Sequence, residues 1–343
     1  MRIAELPRFS IDEPGINYSE AIADYERAIP FLPSSEQPEA LMHLAEANRR
    51  SGNYEAAVRL FDRACALWLS TGKSGRAAWC LWGIASSYNR HGLYSQARYW
   101  YTKAKSMARA AGDPRCAAWS GAGIAEIDRV QGKSRTSLEE HFHLLGVFRA
   151  MADAKGVTWG LAGIAQIYLI NGNYDQAVSY YMKAQDLAQR TGDAAHGAWS
   201  LRGYAEVLRR RGDLSDALTL TEAARERFEA LSYPIGVAYA VKTASEVRLA
   251  MGHVEAAVDT ARQAVRIFAG IMKPRGLAYA LKTLADAENA AGEMDAANRH
   301  YLRSIGLFDA LGIFPASEYR GDLAVNQLGR RSYHLPSSLR PAK

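Results

Sequence analysis

The chain has 343 residues, 48% hydrophobic and 23% charged, with a formal net charge of +6, a composition that suits a packed fold and not a disordered segment. No run of eighteen or more apolar residues occurs and the start lacks a signal peptide's apolar core, so no membrane span is expected and a cytoplasmic location is. Three cysteines, Cys65, Cys80 and Cys116, without a Cys-x-x-Cys, exclude a paired disulfide framework.

Residues 1–16 are an N-terminal segment. Residues 17–34 read as a lone helix, because Asn17-Tyr18-Ser19-Glu20-Ala21-Ile22 copies Asn53-Tyr54-Glu55-Ala56-Ala57-Val58 without a first helix before it. Over residues 35–316 seven glycines recur at an unbroken interval of forty: Gly52, Gly92, Gly132, Gly172, Gly212, Gly252 and Gly292. Small residues keep the same register, with Ala45, Ala85, Ala125, Ala165, Ala205, Ser245 and Ala285 before the glycines and Ala57, Ala97, Ser137, Ala177, Ala217, Ala257 and Ala297 after them. Apolar residues between them recur at three- and four-residue spacing, as in Ile164, Ile167, Tyr168 and then Val178, Tyr181, Ala184. That is helix periodicity.

Each unit therefore reads as a helix A of about fourteen residues, a tight glycine turn and a helix B of about eighteen. The polar residue after the glycine, such as Asn173 or Asp213, is placed to cap helix B. A fixed period of this size marks a solenoid in which each unit buries its apolar face only against its neighbours. Residues 317–331 read as a last helix capping the open face, and 332–343 as a disordered basic tail. Four surplus positive charges, Arg330, Arg331, Arg340 and Lys343, lie in or beside that tail, so the repeats carry no continuous basic track and nucleic acid is not an expected partner.

The segment Gly163-Ile164-Ala165-Gln166-Ile167-Tyr168-Leu169-Ile170-Asn171-Gly172-Asn173-Tyr174-Asp175-Gln176-Ala177 resembles the tetratricopeptide repeat (TPR) at its small residue, tyrosines, glycine and alanine. The forty-residue unit is similar to the longer variant found in spindle-orientation adaptors and in the sensor regions of large bacterial regulators. The resemblance covers roughly residues 17–330. It implies an all-α, right-handed α-solenoid of about seven helix-turn-helix repeats with half-repeat ends.

The resemblance also implies which side chains line the concave groove: positions 2, 5, 9 and 12 of helix A, with the turn glycine as 15. Position 2 holds Glu39, then Trp79, Trp119, Trp159, Trp199, Tyr239 and Tyr279, an aromatic ladder. Position 5 holds Met42, Trp82, Ala122, Ala162, Arg202, Lys242 and Lys282. Position 9 includes Glu126, Glu206, Glu246 and Asp286, and position 12 includes Arg49, Arg129 and Arg209. The first half of the groove is thus aromatic and the second half basic. Arg202, Lys242 and Lys282 stand four residues before Glu206, Glu246 and Asp286, on one helix face and in pairing range. The aromatic ladder has two readings, a ligand-facing surface or a packing column beneath the preceding helix. Trp82, in a column of mixed sizes, is expected to be the most exposed.

The third unit departs from the pattern: His141 stands where others have Tyr101, Tyr181 or Tyr301, and Gly146 interrupts its helix B. This is either drift or a local bend that opens a pocket.

Other motifs dissolve on inspection. Gly72-Lys73-Ser74 and Gly132-Lys133-Ser134 lack the upstream glycine and strand of a phosphate loop. Glu139-Glu140-His141-Phe142-His143 offers one Glu-x-x-His without its mirror partner. No catalytic residue, metal ligand or cofactor is therefore expected.

The sequence reads as a non-catalytic bacterial TPR adaptor that holds a peptide or partner segment in its groove. Aromatic anchors would take apolar side chains, and Arg202, Lys242 and Lys282 acidic groups. The alternative is a sensor or carrier of a sugar-like or flat apolar metabolite, resembling the sugar-sensing region of maltose-type activators. An enzyme with a pocket in the solenoid is a second alternative, and a homodimer stays open.

Overall fold

A computed structural model describes residues 18–313; the segment 1–16, the expected capping helix 317–331 and the tail 332–343 lie outside the described residues. The fold is all-α, with no strand among the described residues. Helix α1 (Tyr18–Ala28) ends in a short 3-10 turn, Ile29–Phe31. The first helices of successive units are α2 (Gln37–Ser51), α4 (Ser74–His91), α6 (Pro114–Val130), α8 (Ala154–Ile170), α10 (Ala194–Arg211), α12 (Pro234–Ala250) and α14 (Pro274–Ala290). Their partners are α3 (Tyr54–Ser70), α5 (Tyr94–Ala110), α7 (Ser134–Ala150), α9 (Tyr174–Thr191), α11 (Leu214–Ala230), α13 (Val254–Gly270) and α15 (Met294–Ala310).

The first helices are longer than the periodicity predicts, at 17 residues in α6 and 18 in α4. They begin upstream of the repeating apolar face. Pro114, Pro234 and Pro274 occupy first-turn positions, where a missing N–H is harmless. The carboxylates of Asp113, Asp153 and Asp193 accept from the amides of Cys116, Gly156 and His196 at 2.9, 3.0 and 3.1 Å. Capping chemistry therefore sits at the start of helix A. The expected caps of helix B make no side-chain capping bond at Asn173 or Asp213. There the turn closes through backbone, with Tyr174 N–H on the Gly172 carbonyl at 3.0 Å and Leu214 N–H on Gly212 at 2.9 Å.

The seven turn glycines all take positive φ, from 77° at Gly172 to 93° at Gly212. A second left-handed series closes the turns from helix B to the next helix A. It has glycine at 72, 112, 192 and 312 but Ala152, Ser232 and Met272 at φ 50°, 49° and 48°. Each of those three non-glycine residues carries roughly 1–2 kcal/mol of strain.

Helices α2, α4, α6, α8, α10, α12 and α14 touch one another in succession as well as their own partners, whereas their partners make no comparable contact among themselves. The first helices therefore form the tight inner layer and their partners the splayed outer one. The small residues of the two registers are buried at the crossing within each unit. Where serine replaces alanine its hydroxyl is satisfied across the crossing, Ser137 Oγ on the Ala125 carbonyl and Ser245 Oγ on the Ala257 carbonyl, each at 2.8 Å.

Between units, a ring from the outer helix sits on a glycine of the next inner helix: Phe61 on Gly83, Tyr101 on Gly123, His141 on Gly163 and Tyr181 on Gly203. A second row repeats the device near the helix start, with Phe148 on Gly156, Phe228 on Gly236 and Phe268 on Gly276. A β-carbon at any of these glycines would overlap the ring.

The units do not touch only their neighbours. The α13–α14 turn and the end of α15 return to the first units. The Ile271 carbonyl lies against Gly52, Pro274 and Leu311 lie against Gly92, and Lys273 reaches the Tyr54 hydroxyl. Tyr94, Tyr101 and Ile127 share one buried cluster with Ala278, Phe308 and Ile313. The expected one-dimensional contact pattern is corrected here, because the curvature of successive units brings the ends together.

This packing predicts opposite signs for one substitution at two helical glycines. Gly146 has open space around its α-carbon, so Gly146→Ala stabilises by about 1 kcal/mol through helix propensity. Gly203→Ala meets the Tyr181 ring and destabilises by about 1–3 kcal/mol despite the same propensity gain. Urea melts of the two variants check both signs.

Candidate functional site: the concave groove

The inner helices place positions 2, 5, 9 and 12 on one wall. Trp79, Trp119, Trp159, Trp199, Tyr239 and Tyr279 are all half-buried. Each of four rings rests on the buried phenylalanine of its own outer helix, with centroids 5.0 Å apart for Trp119–Phe148 and Trp199–Phe228, 4.8 Å for Tyr239–Phe268 and 4.9 Å for Tyr279–Phe308. Trp159 instead stacks on His141 at 4.6 Å. The indole N–H groups of Trp79 and Trp119 donate to Asp113 and Asp153 at 2.9 and 3.1 Å. These carboxylates are the caps of the next inner helix, so the two tryptophans also fasten one unit to the next.

Trp82 is not more exposed than its neighbours. It is half-buried, edge-on to Trp79 at 5.7 Å and 5.9 Å beneath the Arg49 guanidinium. Its indole nitrogen is sealed off without a hydrogen-bond partner. Together with Trp100 and Met107 of the outer helix α5, it packs against the buried cluster of the first units.

The charges form a paired lining. Glu126 binds Arg129 at 2.6 Å, Glu206 binds Arg209 at 2.6 Å and Arg210 at 3.1 Å, and Glu46 binds Arg49 and Arg50. Lys242 and Lys282 meet Glu246 and Asp286, each at 2.6 Å. Thr283 and Tyr301 donate to the same two acids at 3.0 and 2.7 Å. The expected Arg202–Glu206 pair does not form, because Arg209 and Arg210 occupy that carboxylate with better fork geometry.

Arg202 makes no ion pair among the described residues. Its guanidinium lies 5.3 Å from the Trp199 ring centre and 5.7 Å from Tyr239. It donates weakly to Thr243 Oγ1 at 3.4 Å, and its Nε is buried without a partner. Arg275, outside the register of groove positions, reaches across from the start of α14 to Glu126 at 3.4 Å. No repeat column pointed to it; only the cation-flanked Lys273-Pro274-Arg275 run distinguishes that turn.

Burial raises the carboxyls of Glu46, Glu126 and Glu206, but the facing guanidiniums outweigh it. Arg49 and Arg50 hold Glu46 at about 2, Arg129 with Arg275 holds Glu126 at about 2, and Arg209 with Lys242 and Arg210 holds Glu206 at about 2. At Asp286 burial wins and the carboxyl is raised.

In the third unit α7 runs unbroken through Gly146. His141 is buried, and its Nδ1 lies 2.7 Å from the Ser137 carbonyl, the geometry of an Nδ1–H donor. Burial lowers its pKa, which keeps the ring neutral and leaves Nε2 without a partner. By contrast Tyr181 reaches through the layer to Gln166 at 2.9 Å. The described residues hold no group of three or more His, Cys, Asp or Glu arranged for a metal ion. No described helix is long and apolar enough to cross a membrane.

The tetratricopeptide repeat family profile matches residues 36–110 and 157–230. With the helix pairs and glycine turns above, this makes the chain a TPR-type repeat protein. No curated protein matches it. Among solved structures it is similar to a Rap protein complexed with competence and sporulation factor, with TM-score 0.72, 12% identity, and 85% of this chain and 80% of that chain covered. It is also similar to the Rap conjugation gene regulator of plasmid pLS20 in complex with the Phr* peptide, with TM-score 0.68, 13% identity, and 87% and 86% covered. The apo quorum sensor NprR from B. thuringiensis follows, with TM-score 0.57, 13% identity, and 85% and 83% covered. At these identities the likeness is one of fold.

Two outcomes follow from the lining. The depressed acids contribute stability that is complete above the ordinary carboxyl value of 4.5 and is lost as pH falls from there through about 2. The melting temperature should fall steeply over that window, and Glu126→Gln with Glu206→Gln should flatten the fall. Trp119→Ala, removing a half-buried ring and one hydrogen bond, should cost about 2 kcal/mol in urea melts, below the ~3–5 kcal/mol of a fully buried tryptophan.

Proposed function

We propose that the chain is a non-catalytic adaptor whose seven-unit solenoid holds an extended peptide, or an extended segment of a protein partner, in the concave groove. The observation that carries this reading is Arg202. The equivalent cations of the next two units, Lys242 and Lys282, are neutralised within their own helices at 2.6 Å. Arg202 stays uncompensated between Trp199 and Tyr239, with its Nε already desolvated. A half-buried guanidinium flanked by aromatic rings suits a carboxylate carried by an extended chain whose apolar side chains rest on the half-exposed ladder. The fold likeness adds support: two of the similar structures are described as complexes with a factor or a peptide, and a third as a quorum sensor.

The metabolite reading is less well supported by ring geometry. Successive rings of the ladder meet at 58° for Trp119–Trp159 and 64° for Trp199–Tyr239, and Trp79 meets Trp82 of its own helix at 66°. Tilted edges offer no parallel faces to a flat ring.

The test is selection from a pool of random heptapeptides over the immobilised chain, with eluted peptides sequenced by mass spectrometry. Enrichment of acidic, apolar-rich peptides that Arg202→Ala loses by about tenfold or more supports the reading, the size set by a charge-assisted hydrogen bond. No enrichment from the pool, with small metabolites raising the melting temperature instead, overturns it in favour of the sensor.

A further inference from the structure

The contact between the two ends of the solenoid touches the groove itself. The turn glycines of the units are equivalent by register, yet Gly52 and Gly92 are buried while Gly132, Gly172, Gly212, Gly252 and Gly292 are exposed. Tyr54 and Tyr94, which follow the first two, are buried, whereas Tyr174 is half-buried. What covers the first two turns is the α13–α14 turn and the end of α15, through Ile271, Pro274 and Leu311. From this seam Arg275 enters the groove and pairs with Glu126 at 3.4 Å. It also stands beside Tyr94, Tyr239 and Tyr279.

We propose that this seam is a latch: Arg275 closes the solenoid onto its first units through Glu126, and a segment enters the groove when Arg275 lets go. The latch regulates the groove of the preceding section and rests on that reading only for what enters. Its closure is a property of the chain alone.

Three features suit a contact that opens. The seam joins elements far apart in sequence, with Lys273 and Tyr54 219 residues apart, so no covalent neighbour holds it shut. Glu126 retains Arg129 as a second partner at 2.6 Å, so releasing Arg275 does not strand a buried carboxylate. Charges of like sign also gather there. Lys273 lies 4.5 Å from the Tyr54 ring centre, on the α13–α14 turn. It faces the Tyr54 hydroxyl on α3, His91 stacked on Tyr54 from the end of α4, Arg49 from α2 and Arg275 from α14. Burial, with Arg49 and Arg275 adding repulsion, pushes the Lys273 ammonium down to about 7. The closed form therefore strengthens as pH rises from about 7 towards 10.5 and weakens as pH falls from 10.5 to about 7, below which Lys273 is charged in both forms.

The experiment uses the full chain with donor and acceptor dyes at Asn53→Cys and Met272→Cys, both exposed positions on opposite sides of the seam. The natural cysteines, Cys65, Cys80 and Cys116, are buried. Single-molecule energy transfer should show a predominant high-transfer state. Arg275→Ala should raise the low-transfer fraction about tenfold, as for loss of one charged hydrogen bond, with unchanged far-ultraviolet circular dichroism. Leu311→Ala, which loosens the apolar side of the seam, should act in the same direction. Lowering the pH from 9 to 7 should also raise that fraction, and Lys273→Met should remove the pH response.

A short cross-link between the two cysteines should abolish peptide uptake from the pool, and its cleavage should restore it. Unchanged transfer in both Arg275→Ala and Leu311→Ala would overturn the latch and leave peptide binding standing. Altered transfer without any peptide captured would keep the closure and remove the proposed ligand. Uptake by the cross-linked chain equal to that of the uncross-linked chain would overturn the gating role.

Discussion

The structure depends on one steric constraint: an aromatic ring of each outer helix must lie directly on the backbone of the next inner helix. Glycine at 83, 123, 163 and 203 makes room for Phe61, Tyr101, His141 and Tyr181, and a second row at 156, 236 and 276 seats Phe148, Phe228 and Phe268. Helix interiors with glycine lose roughly 1 kcal/mol of propensity each. Burying a whole ring against backbone returns more than that. The inner helices are drawn together by this device while the outer ones splay, which makes one wall concave.

Drawing the inner helices together has an electrostatic consequence. Side chains at positions 9 and 12 are crowded on that wall and lose water, so a carboxylate there needs a cation close by. In alternate units the partner comes from the same helix three residues on: Arg49 for Glu46, Arg129 for Glu126 and Arg209 for Glu206. In the last two, Lys242 and Lys282 serve Glu246 and Asp286. Once Arg209 and Arg210 have satisfied Glu206, Arg202 is left over. The unpaired cation thus arises from competition among neighbouring guanidiniums, and not from a position that looks special in the repeat.

Much of the fold was legible because glycine at 52, 92 and their successors marks a backbone need that few other residues meet. The matching series at the other turns was hidden, since Ala152, Ser232 and Met272 accept the same positive φ under strain and break the pattern. Helix starts were misjudged because proline and aspartate extend the inner helices beyond their apolar period. At the candidate site the ladder and the acids could be read from register, since both repeat. The orphan state of Arg202 could not, because helical spacing gives reach but not the winner among several partners. Arg275 was invisible for a different reason: its partner Glu126 lies 149 residues back along the chain and is adjacent only after the solenoid has curved back.

That curving back is sensitive to every interface at once. A small change of angle at one junction is repeated along the row, so the meeting of α14 with the first turns requires each junction to keep its spacing. The register shows how this is done with different residues. Glycine opposite tyrosine at 203 and 181 gives way to Thr243 opposite Thr221 and Thr283 opposite Ala261, all four buried. Bulk moves from the outer helix to the inner one, and the gap between helices is filled either way. Repeats five to seven therefore drop the first row of rings without straightening while keeping the second row at Gly236 and Gly276, and the curvature set up in the first units carries through to place Arg275 over Glu126.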